Sequence, residues 1–592
     1  MRILRLLTIA AAALLFALPL LSADDESADL AAARTLFNAN LDAIRHHDRA
    51  VYLDLYLHDE HLARVGPTGF VTGYEDFAKQ RDVRWPDTFD ASDLHLVRVA
   101  PGVVYGTYRY RVRYGADEHS GISERIFKKT NDGWRVAVTG AIDTPGAPAA
   151  PRAIVGATLI DGRGGAPITN ANVILRDGKI ECAGDCPVPE GVQTIDAKGM
   201  FVTPGLVDAH VHFSQTGWAD GRPDFMDVRA KYPFDKVQAD LKANPQRFAK
   251  SYVCSGVTSV FDVGGFPWTL QLATRFEDDT FAPRIAAAGP LLSPFVPNVL
   301  ALPAEQEFIH LKDEAAARAG VDYNANLGAK AIKIWYIVRP PDLAVEVSAP
   351  AVMAAGDEAQ KRGLPLIVHS TGLAEAKVAL KAGAKVLVHS VEDLPVDDEF
   401  IALAKKNGTT LIPTLTVIQN VDKLYHAAAE KRVPPVDDPN HCVDKMTMAK
   451  LADTVNSDVP AERVPRMDKR MNDTLAVANP NLMKLIAAGI PIATGTDAGN
   501  PLTLHGPAIY AEMEAMQHAG MTPMQVIVAS TATASHAMGV DKVTGTIEKG
   551  KDADLLILAA DPSKDVTNFR KIRYVVRAGV ARTIDELSAM AQ

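Results

Sequence analysis

The sequence predicts an α/β protein: a (β/α)8 TIM barrel with β-rich flanks, preceded by a small α+β domain. The chain has 592 residues, more than the roughly 250 that one barrel fills, so two or three domains are expected. Short apolar strands alternate with helices between residues 204 and 542, as in parallel α/β sheets. A stiff proline-rich segment at 144–151 separates this alternation from the preceding elements.

The composition narrows the class of protein. Hydrophobic residues make up 47% of the chain and charged residues 23%, both ordinary for globular proteins. These proportions exclude a mainly disordered, a collagenous or a cysteine-stapled chain. The formal net charge is −10, so the basic footprint of a nucleic-acid-binding protein is missing and no nucleic-acid partner is expected.

Residues 1–23 have the layout of a secretory signal peptide. Arg2 and Arg5 precede an apolar run from Leu6 to Leu21, which is shorter than the roughly 20 residues needed to span a bilayer. Leu21-Ser22-Ala23 then offers an approximate small-residue cleavage site. The pattern predicts a secreted or periplasmic protein without stable membrane insertion after cleavage; an uncleaved N-terminal anchor is the alternative.

The chain has four cysteines, Cys182, Cys186, Cys254 and Cys442. An exported protein can form disulfides, and the close spacing of Cys182 and Cys186 in a turn-rich segment suits a local bond. A zinc site built from all four is not expected, because the other two are scattered along the chain. The sequence leaves open whether Cys182 and Cys186 are bridged.

Residues 24–143 form the predicted α+β domain. A helix is expected over 28–47, where apolar residues recur near helical spacing. Over 108–114, apolar residues, mostly tyrosines, alternate with arginines, which predicts a strand with an aromatic face and a cationic face. The cationic face is expected to be solvated or to lie in an interface. A hairpin is predicted next, with strands over 122–129 and 134–140.

The order of these elements, and the ending Gly-Trp-Arg-Val-Ala-Val-Thr-Gly at 133–140, resemble the SnoaL-like (nuclear-transport-factor-2-like) cone fold. The resemblance implies that this domain either holds a small ligand in its cone or dimerises. Homo-oligomerisation of the chain is expected on this basis alone.

The alternating region supplies the candidate barrel strands. Six short apolar runs are expected to be strands: 257–261, 331–337, 364–368, 385–388, 409–413 and 490–495. The charged stretch 419–475 is predicted to be an insertion. The flanks are expected to contribute strands at 153–160, 171–175, 545–547, 553–558 and 572–578.

Four histidines follow predicted strands. His210 and His212 lie in Asp-Ala-His-Val-His-Phe, and residues i and i+2 of a strand point the same way, so both imidazoles can reach one ion. Alone, this pair is more simply read as two partly exposed histidines. His369 and His389 each end another short apolar strand, with one helix between them. Because barrel strands end at a common face, the four imidazoles together predict a metal site.

Two further residues extend this set. Lys333 lies inside the apolar run Ala-Ile-Lys-Ile-Trp, where an ammonium is costly unless it is paired or modified. Either its stem reaches the surface, or carbon dioxide has added to the neutral amine to make a carboxylate that can bridge two metals. Asp497 closes the last predicted strand, where a carboxylate can bind a metal and take a proton from its water.

The succession Asp-Ala-His-Val-His-Phe, Ala-Ile-Lys-Ile, Leu-Ile-Val-His-Ser, Val-Leu-Val-His-Ser and Ala-Thr-Gly-Thr-Asp-Ala-Gly resembles the amidohydrolase superfamily. In detail it is similar to the imidazolonepropionase-like branch, which includes metal-dependent prolidase-like dipeptidases and a mycotoxin amidase. The resemblance implies a composite β-sandwich, built from 152–203 and 543–592, beside a metal-dependent hydrolase barrel at 204–542.

The resemblance also implies two divalent metal ions, zinc being expected and manganese or iron the alternatives. His210 and His212 would bind the more buried ion, and His369 and His389 the more exposed one. The implied ligands are His210, His212, His369, His389, a carbamylated Lys333 and Asp497. Lys333 would bridge the two ions, and Asp497 would also act as the catalytic general acid/base.

The sequence departs from these relatives at one point. Many prolidase-like relatives carry a Gly-Gly-His pattern shortly after the third strand, whereas residues 286–300 contain no histidine. This weakens the case for a dipeptide substrate but leaves the metal chemistry untouched. His505, just beyond Asp497, is a candidate substrate-binding residue, with an ordinary loop histidine as the alternative.

The expected function is that of a secreted metal-dependent amidohydrolase. It would cleave an amide C–N bond of a small molecule by metal-activated hydroxide, in a dipeptide or an N-acyl amino acid. The same site could instead hydrolyse a cyclic amide, a lactone or a phosphoester. A non-catalytic ligand-binding protein with a relict barrel is the remaining alternative; missing ligands would favour it, and none is missing from the sequence.

Overall fold

The computed structural model describes residues 23–66, 69–79, 85–114, 117–143, 153–277, 279–302, 305–338, 343–460 and 462–591. The predicted signal peptide, apart from Ala23, and the predicted linker at 144–151 lie outside these residues. The chain divides into two compact units, Met1–Ala147 and Pro148–Gln592. Over the described ranges, none of the helices combines the length and the apolar character needed to cross a membrane.

The first unit is an α+β structure. Its helices are α1 Ala23–Arg45, α2 Arg49–Asp54 and α3 Tyr74–Lys79. Its strands are β1 Ala63–Gly66, β2 Gly69–Thr72, β3 Thr88–Ala100, β4 Val103–Tyr114, β5 Asp117–Thr130 and β6 Gly133–Asp143. They form one sheet in the order β2-β1-β6-β5-β4-β3, antiparallel except where β1 runs beside β6. The predicted helix, strand and hairpin are confirmed.

Strand β4 carries the predicted two-faced pattern. Tyr108, Tyr110 and Val112 are buried, whereas the arginines between them are exposed. The buried face packs on α1, and the rings of Phe37 and Tyr108 lie 4.8 Å apart, edge to face. Alternation along the strand therefore places the aromatic side chains in the core and the charges on the surface.

The second unit contains one sheet with mixed strand directions and two parallel sheets. In chain order its strands are β7 Ala153–Leu159, β8 Ile168–Arg176, β9 Lys179–Gly184, β10 Thr194–Asp196, β11 Phe201–Pro204, β12 Leu206–Val211, β13 Val257–Asp262, β14 Arg284–Ala287, β15 Leu291–Ser293, β16 Phe308–His310, β17 Ile332–Trp335, β18 Leu366–His369, β19 Val386–Val388, β20 Thr410–Ile412, β21 Leu555–Leu558, β22 Ile572–Arg577 and β23 Val580–Thr583.

Helices separate most of these strands. They are α4 Phe234–Ala243, α5 Gln246–Cys254, α6 Leu272–Arg275, α7 Glu314–Asn326, α8 Val345–Lys361, α9 Leu373–Lys381, α10 Asp398–Asn407, α11 Thr416–Ala429, α12 Lys445–Ala452, α13 Arg463–Ala487, α14 Ala508–His518, α15 Pro523–Val528, α16 Ala534–Ala537 and α17 Ile584–Ala591. Short 3-10 helices occur at Ala219–Gly221, Pro267–Gln271, Asn298–Leu300, Asp453–Asn456 and Val566–Arg570, and a π-helical turn at Ala529–Thr533.

The two flanks of the second unit meet in one sheet, in the order β23-β22-β21-β11-β7-β8-β9, with β10 paired to β7. Strand β11 pairs antiparallel with β21, which joins the N-terminal flank to the C-terminal one. The strand predicted at 545–547 is wrong. Gly545 has a left-handed φ of 90°, and a Cβ there would lie 2.1 Å from the Ser535 hydroxyl, so the chain turns at this point.

Parallel strands occupy the centre of the unit. They form one sheet ordered β12-β13-β14 and another ordered β16-β15-β17-β18-β19-β20. The amide of Lys330, just before β17, donates to the carbonyl of Ala287 in β14 at 2.9 Å, which connects the two sheets. Apolar side chains from successive strands share one core cluster, among them Val207, Phe261, Ala286, Ile367, Val388, Ile412 and Ala493.

The strand predicted at 490–495 is corrected to an extended segment with isolated pairs. Ile492 pairs with Leu411 of β20, and Ala498 with Val211 of β12, both parallel. Pro491 has no N–H to donate to a ladder, and the backbone turns left-handed at Asp497. The segment nevertheless lies between β20 and β12 and runs parallel to both, so the carboxyl ends of all three lie at the same edge.

The segment predicted as an insertion is helical. Helices α11, α12 and α13 supply it, and they pack on the loop after β12 through a cluster that contains Trp218, Leu424 and Met467. A disulfide joins Cys254, at the end of α5, to Cys442, just before α12. The local disulfide between Cys182 and Cys186 is also present.

Candidate active site

Three predicted ligand residues converge at the carboxyl end of β12. The Oδ1 atom of Asp497 lies 3.3 Å from Nε2 of His210 and 3.0 Å from Nε2 of His212. The two histidine Nε2 atoms lie 3.3 Å apart. All three side chains are buried, so three strongly polar atoms meet where water has little access.

Buried carboxylates on neighbouring strands hold these side chains in place. Asp208 of β12 accepts hydrogen bonds from the Thr496 amide at 2.9 Å and its hydroxyl at 2.6 Å. The Asp497 amide in turn donates to the His210 carbonyl at 2.7 Å. These bonds bring the loop with Asp497 to the end of β12 although 288 residues separate Asp208 from Thr496.

Asp262, at the end of β13, fixes the orientation of His212. It accepts from the amides of Phe213 at 2.8 Å and Gly264 at 3.2 Å. The Gly264 carbonyl accepts a hydrogen bond from Nδ1 of His212 at 2.6 Å. Because Nδ1 carries the proton, Nε2 of His212 presents its lone pair toward Asp497.

His369 ends β18, and His389 directly follows the adjacent strand β19, beside this cluster. Their ring centroids lie 4.3 Å apart, and the ring of His389 lies 5.2 Å from that of His210. Nδ1 of His389 is hydrogen-bonded to the Thr414 hydroxyl at 2.6 Å. The structure therefore brings the four predicted histidines to one site, as parallel strand ends require.

Unusual backbone conformations cluster at this site. Asp497, His389 and Thr414 have positive φ angles of 60°, 75° and 49°. A non-glycine residue in the left-handed region costs on the order of 1–3 kcal/mol and persists only where the surroundings impose it. Thr414 is hydrogen-bonded to His389, the ring of His389 lies against that of His210, and His210 contacts Asp497, so the three positive φ angles belong to one site and indicate a functional geometry.

Lys333 points out of the middle of β17 and is only 2% exposed. Burial lowers the pKa of its amine to about 7, against the opposing influence of the Asp497 and Asp262 carboxylates. The alternative in which its stem reaches the surface is therefore wrong. A large fraction of this amine is uncharged at neutral pH, which is the form that can add carbon dioxide.

The site also sets the charge of its other members. Burial lowers the pKa of His210 and His369 well below the usual value, and that of His389 to about 4. Burial alone would raise the pKa of Asp497, but the imidazoles of His210, His212 and His389 hold it well below its usual range. At neutral pH the imidazoles of His210, His369 and His389 are therefore uncharged, and Asp497 is a carboxylate.

The structure corrects the expectation for His505. Its ring is 3% exposed and stacks on Phe248 with centroids 3.9 Å apart. Nδ1 accepts from the Tyr252 hydroxyl at 2.9 Å, and Nε2 donates to the Gln215 carbonyl at 2.9 Å. Both ring nitrogens are engaged by the protein, so His505 is a core residue rather than a substrate contact.

Sequence reasoning missed a group of polar residues near the site. Arg222, in the loop after β12, forms a two-pronged ion pair with Asp224 and donates to the side chain of Asn500. Asn500 also donates to the Asp497 carbonyl at 3.1 Å. The Arg222 guanidinium acts electrostatically on buried Glu307, whose pKa burial raises to about 8. No spacing rule links these residues, which come from separate loops.

The donor set fits a divalent metal ion. Zinc and related ions are commonly bound in proteins by carboxylates and by histidine Nε2 atoms. The Nδ1 atom of such a histidine is usually hydrogen-bonded to the protein. In His212 and His389 the Nδ1 atom is occupied by the protein. Nε2 of His212 and Oδ1 of Asp497, both acceptors, lie 3.0 Å apart, a contact that a cation would stabilise.

Imidazoles and a carboxylate gathered at the carboxyl ends of parallel α/β strands have the arrangement of an enzyme active site. Residues 201–582 match the amidohydrolase family, and the chain belongs to that family. It is therefore a hydrolase that acts on amide or other carbon–nitrogen bonds. The predicted resemblance to this family is confirmed.

Individual relatives agree with this assignment. Ochratoxinase from Aspergillus niger is 25% identical over 455 residues, which cover 71% of this chain and 84% of the relative. Imidazolonepropionase from Geobacillus kaustophilus is 36% identical over 103 residues, 17% of this chain and 22% of the relative. The crystal structure of a Xaa-Pro dipeptidase with bound methionine in the active site has a TM-score of 0.56 at 22% identity, over 73% of this chain and 99% of that one. This last similarity shows the fold.

Proposed function

We propose that the protein is an exported, binuclear metal-dependent amidohydrolase that cleaves an amide C–N bond of a small molecule. The observation that carries the proposal is the convergence of His210, His212 and Asp497 within 3.3 Å, next to the rings of His369 and His389. The proposal includes closure of the parallel segments into a barrel. The isolated pairs of residues 492 and 498 with β20 and β12 support that closure.

His210 and His212 would hold one ion, and His369 and His389 the other. Lys333 would join them as a carbamate: its uncharged amine adds to carbon dioxide, a C–N bond forms and one proton leaves. The pKa of about 7 that burial gives this amine supports the assignment. When bound, a divalent ion supplies Lewis acidity toward a carbonyl oxygen and toward the attacking water.

Asp497 is assigned the proton transfers. Its carboxylate form is held by the imidazoles around it, so it can accept a proton from the water as the new C–O bond forms. The same proton then passes to the nitrogen as the C–N bond breaks, which leaves a carboxylic acid and an amine. Asp208 and Asp262 are assigned a positioning role, since their hydrogen bonds hold the loops that carry Asp497 and His212.

The substrate is proposed to be an N-acyl amino acid, with a dipeptide, a cyclic amide and a lactone as the competing classes. A panel of these four, tested on protein loaded with zinc, on protein treated with a chelator and on Asp497→Asn, decides between them. Amide cleavage confined to the loaded parent is the expected result. Equal rates before and after metal removal would overturn the proposal, and exclusive lactone cleavage would replace the substrate class.

Export belongs to the same proposal. The two disulfides, Cys182–Cys186 and Cys254–Cys442, support it, because such bonds persist in oxidising compartments. N-terminal sequencing of the protein recovered outside the cytoplasm should find a start near Ala23. Recovery of the uncleaved chain from the membrane fraction would favour the N-terminal anchor instead.

A further inference from the structure

A second cluster of metal-binding side chains lies in the helical insertion. Nε2 of His426 lies 2.8 Å from Oδ1 of Asp468 and 3.9 Å from Oδ2 of Asp422. One ligand atom from each of the three residues lies within 4.8 Å of those of the other two. None of them belongs to the candidate active site.

The sequence places this cluster on rigid elements. Asp422 and His426 are four residues apart in α11, so they share one face of that helix. Asp468 lies in α13, which packs against α11 through apolar side chains that include Val421, Tyr425 and Met467. The three side chains are therefore held together by a packed core and not by a mobile loop.

One buried oxygen of the cluster has no hydrogen-bond partner among the residues that the structure describes. Asp422 is 7% exposed, and its Oδ1 atom is buried without a hydrogen-bond partner. The imidazole of His426 contacts Asp468 through Nε2, and its Nδ1 lies 3.7 Å from the carboxylate of Glu430. A buried carboxylate oxygen without a partner is costly. A cation placed between the two aspartates would supply the missing partner.

We propose that Asp422, His426 and Asp468 bind a divalent transition-metal ion. Two carboxylates and one imidazole are oxygen and nitrogen donors of the kind zinc and manganese accept, and three protein ligands leave further positions for water. His426 and Asp468 are partly exposed, so an ion can enter from solvent. The bound ion cross-links α11 to α13.

The position of the cluster gives the ion a structural role. Helix α11 begins at Thr416, two residues after the Thr414 that is bonded to His389, and Glu512 of α14 accepts from the Thr416 amide and hydroxyl at 3.0 and 2.7 Å. An ion that fixes α11 on α13 therefore also steadies the segment next to the candidate active site.

The test uses the full chain, stripped of metal and titrated with Zn²⁺ alone. The parent should bind one more zinc per chain than Asp468→Asn, and zinc should raise its melting temperature more. Asp473→Asn is the matched control, since Asp473 lies one turn and a half further along α13, in an exposed ion pair with Lys469. This control should bind as much zinc as the parent.

His426→Gln provides a second variant in case Asp468→Asn does not fold, and circular dichroism establishes which of them does. Equal zinc counts for the parent and for a folded variant at either position would overturn the proposal. The zinc count differs by one whatever the candidate active site binds. The result is therefore independent of whether the protein hydrolyses amides.

Discussion

Lys333→Met tests the buried amine directly, because methionine has an unbranched side chain only one atom shorter and lacks the group that titrates. Burial lowers the pKa of Lys333 from 10.5 to about 7, which corresponds to a penalty of roughly 5 kcal/mol on the ammonium form. Between these two pH values the unfolded chain binds the proton and the folded chain does not. The parent's free energy of unfolding therefore rises with pH across that window, and below about pH 7 the penalty is complete.

The stability advantage of Lys333→Met over the parent should have its full value at and below about pH 7. It should shrink by about 1.4 kcal/mol for each pH unit above that at most, or by roughly 2–3 kcal/mol between pH 7.5 and 9.5. Urea unfolding of metal-free, carbonate-depleted protein measures this stability advantage. Lys330→Met, at an exposed position three residues earlier, is the control, and its free energy of unfolding relative to the parent should stay constant over the same pH range. A difference for Lys333→Met that does not change with pH would refute the buried amine.

The variant should also be inactive, and Lys333→Arg should share that loss, because a guanidinium forms no carbamate. Parental turnover in Lys333→Arg would exclude the carbamate even if the pH dependence of stability appeared as expected. The two measurements therefore separate the burial of the amine from its modification.

Three further variants probe the rest of the site. Asp497→Asn should keep most of its metal while turnover falls by about a hundredfold or more, the usual loss for a missing general acid/base; retention of parental turnover would move the proton transfer to another group. Thr414→Val removes the hydroxyl that is bonded to His389 and should weaken metal binding by about 10–100-fold, and an unchanged metal affinity would show that the bond does not orient the ring. A chain starting at Arg152 should keep the metal site of the second compact unit while losing any self-association, and failure to bind metal would contradict the independence of the two units.

The sequence predicted those parts of the site whose residues follow a local sequence pattern. His210 and His212 were found because of their i, i+2 spacing, and His369 and His389 because each ends an apolar run. Asp262 closes β13 in the same way as Asp497 closes its segment, so the signal that found one could have found the other.

Other features carry no local signal. The hydrogen bond between Asp208 and Thr496 and the disulfide between Cys254 and Cys442 join residues 288 and 188 positions apart, and only the folded chain brings such partners together. The segment at 490–495 has the apolar composition of a strand, but Pro491 and the left-handed turn at Asp497 limit its pairing. His505 was misplaced because proximity in sequence to Asp497 says nothing about which way a ring points.

The disulfide between Cys254 and Cys442 determines whether a proteolytic cut separates the chain into fragments. It closes a covalent ring around residues 255–441, and half of the candidate site lies on the ring and half on the arms that leave it. The ring carries Lys333, His369 and His389, and the arms carry His210, His212 and Asp497. A protease that cuts the ring once would release no fragment, so nicked protein should run as one species on a gel until a reductant opens the bond. The six side chains would thus stay tethered in one molecule after a cut that would otherwise split them between two.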